Sequence, residues 1–274
     1  MSSEPLFSIL LANYNNAKYL SDCLGSILKQ TYTNYEIIVI DDCSTDDSVK
    51  IFKDFSATAN KSIKIEINAI NNGTGYTKAR CVQLAAGSIC GFLDSDDALL
   101  PTSIETMVQS HLEIPEASII FSRRYICNNK LQIYDVSPDV TNTFISQIAT
   151  PYINHFATFK KKDYDETSGI DTYMKRAVDQ DLYLKLEEKG RVIFIPEILY
   201  LYRRNPNSIS LNKNEYKAQA WHIYANSNAC KRRGLSLDDY CSVLKPGKYI
   251  TFMLKFLPVF HFIRYMIKKA FRAK

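Results

Sequence analysis

Residues 94–97 read Asp-Ser-Asp-Asp, three carboxylates within four positions, directly behind the apolar run Ile89–Leu93. Carboxylates this close raise one another's proton affinity or gather round a hard cation that prefers oxygen ligands. An isolated cluster of this kind is a solvated acidic turn. Here the apolar run has the look of a buried strand, which puts the acids at a strand's carboxyl end, where open α/β sheets bind ligands. Two other strand ends carry chemistry as well. The run Phe7–Ala12 leads into Asn13-Tyr14-Asn15-Asn16, and Tyr35–Ile40 leads into the acidic pair Asp41-Asp42. A ring that stacks a base and a carboxylate that accepts from its N–H would together recognise a nucleotide, although Tyr14 alone is more often a packing residue and Asp42 alone a helix cap. The three ends together suit a base, a ribose and a metal-bridged diphosphate, with Lys78 and Arg80 either partners for phosphate or a solvated helix face. No His or Cys cluster supports zinc, so the expected ion is Mg2+ or Mn2+, a Lewis acid that neutralises a departing diphosphate.

The elements that must position these groups alternate. Strand-like Phe7–Ala12 precedes a helical pattern over Lys18–Gln30, with Leu20, Leu24, Ile27 and Leu28 on one face. Strand Tyr35–Ile40 precedes a helix over Asp47–Phe55, with Ser44 or Thr45 and the acids Asp46 and Asp47 as its cap. Ile63–Ile67 and Ile89–Leu93 are the next strands, separated by a helix over Tyr76–Ala86 that Gly87 ends. Strands separated by helices predict an α/β fold with a mostly parallel sheet. A helix from Pro101 to Glu113, a strand at Ala117–Phe121 and a less regular stretch to about residue 165 follow. Then come a helix over Asp179–Glu188 closed by Gly190, strands Arg191–Ile195 and Ile198–Tyr202, and the loop Arg203–Ser208. The expected division is one continuous domain over 1–210, with a first part over about 7–100 and a second over about 101–210, then a helical region over 211–274.

Composition narrows the class. The 274 residues are 46% hydrophobic and 23% charged, ordinary for a globular chain. The net charge is +5, but eight of the 34 Lys and Arg lie in residues 245–274, which hold no acid. The remainder is slightly acidic, which argues against a nucleic-acid partner and for a local basic tail. The seven cysteines form no Cys-x-x-Cys pair and predict buried, reduced thiols. The start Met-Ser-Ser-Glu-Pro has neither a basic flank nor an apolar stretch, which predicts no secretory signal and a cytoplasmic chain. No apolar run approaches the roughly 18 residues that span a bilayer. The first βα turn lacks Gly-x-Gly-x-x-Gly, and no Gly-Lys-Ser/Thr loop is present, which disfavours nicotinamide and Walker-type chemistry.

Four blocks in order, Ser8–Asn15, Ile40–Asp46, Gly75–Arg80 and Phe92–Asp97, resemble the family-2 inverting glycosyltransferases of GT-A fold over roughly residues 7–210. The resemblance implies a Rossmann-like sheet flanked by helices and a nucleotide-diphosphate-sugar donor, most often UDP-linked. It puts Ala12, Tyr14 and Asp42 at the nucleoside. Asp94, Asp96 and Asp97 become the acidic metal motif, with Asp96 and Asp97 left as alternative direct ligands beside Asp94, and Asp94 and Ser95 join Lys78 and Arg80 among the donor-binding residues. In Ala177-Val178-Asp179-Gln180-Asp181, Asp179 takes the place of the general base and Val178 replaces the acid that usually precedes it. Asp181 is cast as a supporting or acceptor-binding group. A His that many relatives carry after the last core strand is replaced near Asn205, which leaves Arg203 or Arg204 to meet phosphate. The Gln-x-x-Arg-Trp motif of processive synthases is absent, which favours addition of one sugar to a glycan acceptor, lipid-linked by expectation, in bacterial polysaccharide synthesis. Two alternatives stand beside this: a sugar-nucleotide-binding assembly protein without turnover, and a sugar nucleotidyltransferase, which should show an early Gly-rich loop.

The basic tail has its own reading. A helix over Pro258–Phe271 would align His261, Arg264, Lys268 and Arg272 opposite Val259, Phe262, Ile263, Met266, Ile267 and Ala270. That pattern suits a helix lying in an anionic membrane surface, peripheral on the inner face, or one packed on the core with its basic side in water; the aromatics and the lack of acids favour the membrane.

Overall fold

A computed structural model describes residues 4–140, 148, 152–205 and 215–235. The expected tail helix over 258–271 and Cys241 lie outside the described residues.

Three βα units open the fold: β1 (Phe7–Asn13) and α1 (Ala17–Leu28), β2 (Tyr35–Asp41) and α2 (Ser48–Thr58), β3 (Ser62–Ile67) and α3 (Thr74–Leu84). They are followed by β4 (Ile89–Phe92), a short β5 (Ala98–Leu99) and α4 (Ser103–Glu113). β3, β2, β1 and β4 lie side by side and parallel. Every residue of β2 is buried, as a strand covered on both faces must be. The chain runs from β1 outward through β2 to β3 and then returns to place β4 on the other side of β1. That reversal opens a crevice at the carboxyl ends of β1 and β4, and Tyr14 and the 94–97 acids stand at its two lips.

Alternation along the strands divides the core. Ile9, Leu11, Ile37 and Val39 face Leu20, Leu24 and Ile27 of α1, Phe52 of α2 and Met107 of α4. Leu10, Ile38 and Ile40 face Val82 of α3 on the other side. The buried face of α1 centres on Leu20, Cys23, Leu24 and Ile27, so Leu28, expected on that face, falls at its rim and is exposed. The Asp46 carboxylate ties two helix starts together, accepting from the N–H of Ser48 at 3.0 Å and of Ala17 at 2.9 Å. Burial opposes it, but those bonds hold Asp46 below the usual carboxylate range.

The second half of the sheet is mixed. β6 (Ala117–Cys127) runs well past Phe121, where apolar spacing places its end, because its polar outer part pairs with β7 (Ile133–Val136) and with β9 (Arg191–Arg203). The stretch expected to be irregular supplies β8 (Ala157–Lys160), antiparallel to both β4 and β6, and the short α5 (Lys161–Asp165). The two strands expected at 191–202 are one, with Pro196 in a register shift between the Phe121–Phe194 and Arg123–Ile198 pairs. A proline has no N–H for the ladder, so a bulge is where a strand can hold it. α6 (Val178–Glu187) and α7 (Glu215–Arg232) close the second face. Ala225, Ala229 and Cys230 of α7 share a core with Leu182 and Leu186 of α6. Cys81 and Cys90 are buried among apolar groups, which pushes both thiols up to about 12 and keeps them unreactive.

Candidate active site

The ends of β1 and β2 are knitted into one platform. Asp41, fully buried, accepts from Asn13 Nδ2 at 2.7 Å and from Ser44 N–H and Oγ at 2.8 and 2.7 Å. Asn15 and Cys43 take left-handed backbone with φ of 52° and 64°, so both strands turn sharply and leave the Tyr14 ring exposed above Ala12. Asp42 is buried and already takes three donors: Asn68 Nδ2 at 2.7 Å, Asn72 N–H at 2.9 Å and Gly73 N–H at 2.7 Å. A carboxylate offers about four acceptor positions, so one remains for a ligand. The same bonds shape the loop that starts α3. Gly73 has φ of 89°, and a Cβ on Gly75 would stand 2.4 Å from the Asp171 carbonyl oxygen, so α3 docks backbone to backbone on the segment before α6.

Lys78 and Arg80 part company here. Two residues along a helix point about 200° apart, and Arg80 turns to Glu66 and to Asn68 Oδ1 at 3.0 Å, away from the acids. Lys78 turns inward, buried, with Nζ 4.8 Å from the centre of the Phe92 ring. It bridges Asp179 Oδ1 at 2.7 Å and Asp94 Oδ1 at 3.4 Å. Burial alone would lower its pKa; Asp179 and Asp94 more than offset that and hold the ammonium charged.

The four motif positions at 94–97 have different surroundings. Asp94 keeps a third of its side chain in solvent, receives His155 Nε2 at 3.4 Å on Oδ2, and donates its N–H to Tyr200 Oη at 3.2 Å. Ser95 is buried and accepts from Asn16 Nδ2 at 2.8 Å, joining the first lip of the crevice to the second. Asp96 is pushed up to about 6 by burial and by the charge of Asp94; Asn205 hydrogen-bonds its carboxylate. Asp97 is buried, and its Oδ1 accepts the N–H of Arg203 at 2.6 Å; burial and the charges of Asp96 and Asp94 hold it well above the usual range. Arg203 also gives Nε to the Asp96 carbonyl at 2.6 Å and meets Asp22 at 2.8 Å, so this guanidinium braces the motif from behind.

An all-oxygen donor set fits a hard cation, as do Asp96 and Asp97, which burial and the neighbouring carboxylates hold above their normal range, beside Asp94, which, against burial, Lys78 and His155 hold below it. Among the described residues no three His, Cys, Asp or Glu converge into a ready cage. That is consistent with an ion such as Mg2+ or Mn2+, which takes one or two carboxylates and completes its shell with phosphate oxygens and water. Asp94 and Asp96 are the two acids whose side chains reach partial exposure; Asp97 is turned to the backbone of β9.

Three residues of this site carried no sequence signal. His155 precedes β8 and stacks on Tyr200, with ring centres 5.4 Å apart; burial lowers its pKa against the pull of Asp94 and Asp179. Arg124 lies on β6 with its guanidinium 4.4 Å from the centre of the Tyr202 ring, and its charge helps to lower the pKa of Asp94. His222 on α7 is lowered by burial and raised by the charge of Asp179. Asp181, expected to support the site, faces the other way; it is buried against Lys185 at 2.5 Å, and Lys185 also donates to the Gly169 carbonyl at 2.7 Å.

The fold and this crevice define the class of protein. Solved GT-A glycosyltransferases share the architecture. Staphylococcus aureus TarS residues 1–349 in complex with UDP superposes with a TM-score of 0.64 at 18% identity, over 91% of this chain and 72% of that one. A mannosyltransferase of Pyrobaculum calidifontis, PcManGT, in complex with GDP-Man and Mn2+ gives 0.63 at 15% identity, over 89% and 69%. At these identities the likeness establishes the fold. The family model for glycosyl transferase family 2 matches residues 8–182, and the chain belongs to that family. It is 27% identical to the putative glycosyltransferase EpsE of Bacillus subtilis, over 100% of this chain and 98% of EpsE. It is also 27% identical to a chondroitin synthase of Escherichia coli, over 86% of this chain but only 34% of the synthase.

Proposed function

We propose that this glycosyltransferase moves one sugar from a UDP-sugar, with inversion and with Mg2+ or Mn2+, to a hydroxyl of a glycan acceptor in bacterial polysaccharide synthesis, the acceptor being lipid-linked. The observation that carries the reading is Lys78. One buried ammonium joins Asp94 of the acidic motif, in the turn after β4, to Asp179, on the first turn of α6, although 85 residues separate them. A carboxylate suited to a diphosphate-bound cation and a carboxylate suited to take a proton therefore border one crevice.

Tyr14 stacks the uracil and the free acceptor position of Asp42 takes its N–H. Asp94 and Asp96 hold the ion, which supplies charge neutralisation at the diphosphate. Asp179 accepts the proton of the acceptor hydroxyl as that oxygen attacks the anomeric carbon opposite the leaving diphosphate. Lys78 holds Asp179 and Asp94 in fixed relation, and Asn205, standing where relatives carry a loop His, keeps Asp96 oriented. The similarity to EpsE and to polysaccharide synthases supports a glycan acceptor; the oxygen ligands and the Mn2+ complex of PcManGT support the metal. Among the described residues no helix is long and apolar enough to cross a membrane; the basic tail over 245–274 supports meeting a lipid-linked acceptor at a membrane surface.

The test is UDP release from UDP-sugars with Mn2+, with and without chelator, in native protein and in Asp179→Asn. Turnover should fall with chelator, and by about 10²–10⁴ in the variant, the usual worth of a general base, with UDP binding retained. Near-native turnover in Asp179→Asn removes that residue from the role. UDP binding without turnover on any acceptor would favour the binding-protein reading, which the buried Val178 supports by replacing an acid.

A further inference from the structure

α7 and the loop that leads into α6 share an aromatic cluster. Trp221 and Tyr224 of α7 and Tyr173 of the loop before α6 have ring centres 5.7–6.2 Å apart. Trp221 and Tyr224 lean on the core with one side, and Tyr173 is 50% exposed. The cluster is joined to the catalytic turn: Gln180, next to Asp179, reaches Asn226 of α7 at 3.4 Å. His222, next to Trp221, comes within electrostatic reach of Asp179, and its Nδ1 is buried without a hydrogen-bond partner. Three rings partly open to water next to a polar site form a surface that gains by being covered. Pyranose rings suit it, because their C–H faces pack on aromatic faces while their rim hydroxyls need partners such as an imidazole nitrogen.

We propose that Tyr173, Trp221 and Tyr224 form the acceptor subsite, a stacking platform for a pyranose of the acceptor glycan, with His222 as hydrogen-bond partner for one of its hydroxyls. This rests on Asp179 as the base, since the platform adjoins the turn that presents it. α7 is then a wall of the active site, and the segment after residue 210 takes part in choosing the acceptor. Continuity with Asp179 selects a glycan as occupant; an acyl chain would gain from the rings but leave His222 unused.

Trp221 is the only tryptophan of the chain, so its emission reports on this surface alone. The full chain, with UDP and Mn2+, is titrated with tetrasaccharides of β-linked glucose, galactose and N-acetylglucosamine and, separately, with a short alkyl alcohol. At least one tetrasaccharide should change the emission saturably. Tyr173→Ala should weaken that binding by about threefold or more, the usual worth of one aromatic stacking contact. No saturable change with any sugar, a response to the alkyl chain alone, or affinity in Tyr173→Ala within about twofold of native overturns the proposal. UDP binding to the native protein, measured by calorimetry, is judged apart: its failure would refute the donor reading, whereas the platform stands or falls by the emission.

Discussion

Replacing Lys78 by methionine keeps the length of the side chain and removes the ammonium that Asp94 and Asp179 share. Coulomb's law with an effective dielectric of about 20 gives roughly 6 kcal/mol of attraction for the 2.7 Å contact to Asp179 and roughly 5 kcal/mol for the 3.4 Å contact to Asp94. Most of that is offset by the cost of taking a lysine that is 5% exposed out of water. Removing one partner leaves the other charges uncompensated, which for a buried pair costs about 3–5 kcal/mol. The two carboxylates are 34% and 30% exposed and regain some hydration, so the lower end, about 3 kcal/mol, is expected. Urea unfolding of the native protein, Lys78→Met, Asp179→Asn and the double variant measures both the cost and the coupling. A charge-assisted hydrogen bond predicts a coupling of about 2 kcal/mol between the two positions. Thermal stabilisation by Mn2+ should be larger in Lys78→Met than in the native protein, because the competing ammonium is gone. A cost below about 1 kcal/mol together with zero coupling would show that Lys78 does not hold these acids together.

Three more outcomes follow from the packing. His111, buried on Thr158 Oγ1 at 3.0 Å, is lowered to about 3 by burial and by Lys160, so it folds neutral and is charged in the unfolded chain below its ordinary value of 6.5. Its contribution is full above that value and is lost as pH falls toward 3, by up to about 1.4 kcal/mol per pH unit, and urea unfolding of His111→Gln should show a shallower acid slope than the native protein. Gly75→Ala forces a Cβ against the carbonyl oxygens of Asp171 and Met174, at 2.4 and 2.6 Å, and should cost about 1–3 kcal/mol in chemical denaturation; a neutral result would mean the segment before α6 yields freely. Ala177 precedes Asp179 with φ of 54°, and Ala177→Gly should relieve about 1 kcal/mol of left-handed strain, less the added entropy of glycine, so its melting temperature should not fall.

What the chain determined by itself is the half built from local pattern. Alternating β and α periodicity in residues 7–93 leaves one way to bury strands on both faces, a parallel sheet, and any acid directly after such a strand must emerge at its carboxyl end. Tyr14, Asp42 and Asp94–Asp97 were therefore legible as strand-end groups, and the four motif blocks as those of a glycosyltransferase. The tertiary structure decided which of these groups meet. Lys78 and Arg80 are indistinguishable in sequence, yet half a turn of α3 sends one to Asp94 and Asp179 and the other to Glu66. Asp179 and Asp181 look alike as first-turn acids of α6, yet one borders the crevice and the other pairs with Lys185 inside the protein. His155, Arg124 and His222 come from a strand entrance, a long strand and a distant helix, brought together by pairings such as β4 with β8 and β6 with β9 and by the packing of α6 on α7. Local sequence sets the direction of a side chain within its own element; which partner it faces depends on register and helix rotation, and these are settled only when all the elements pack at once.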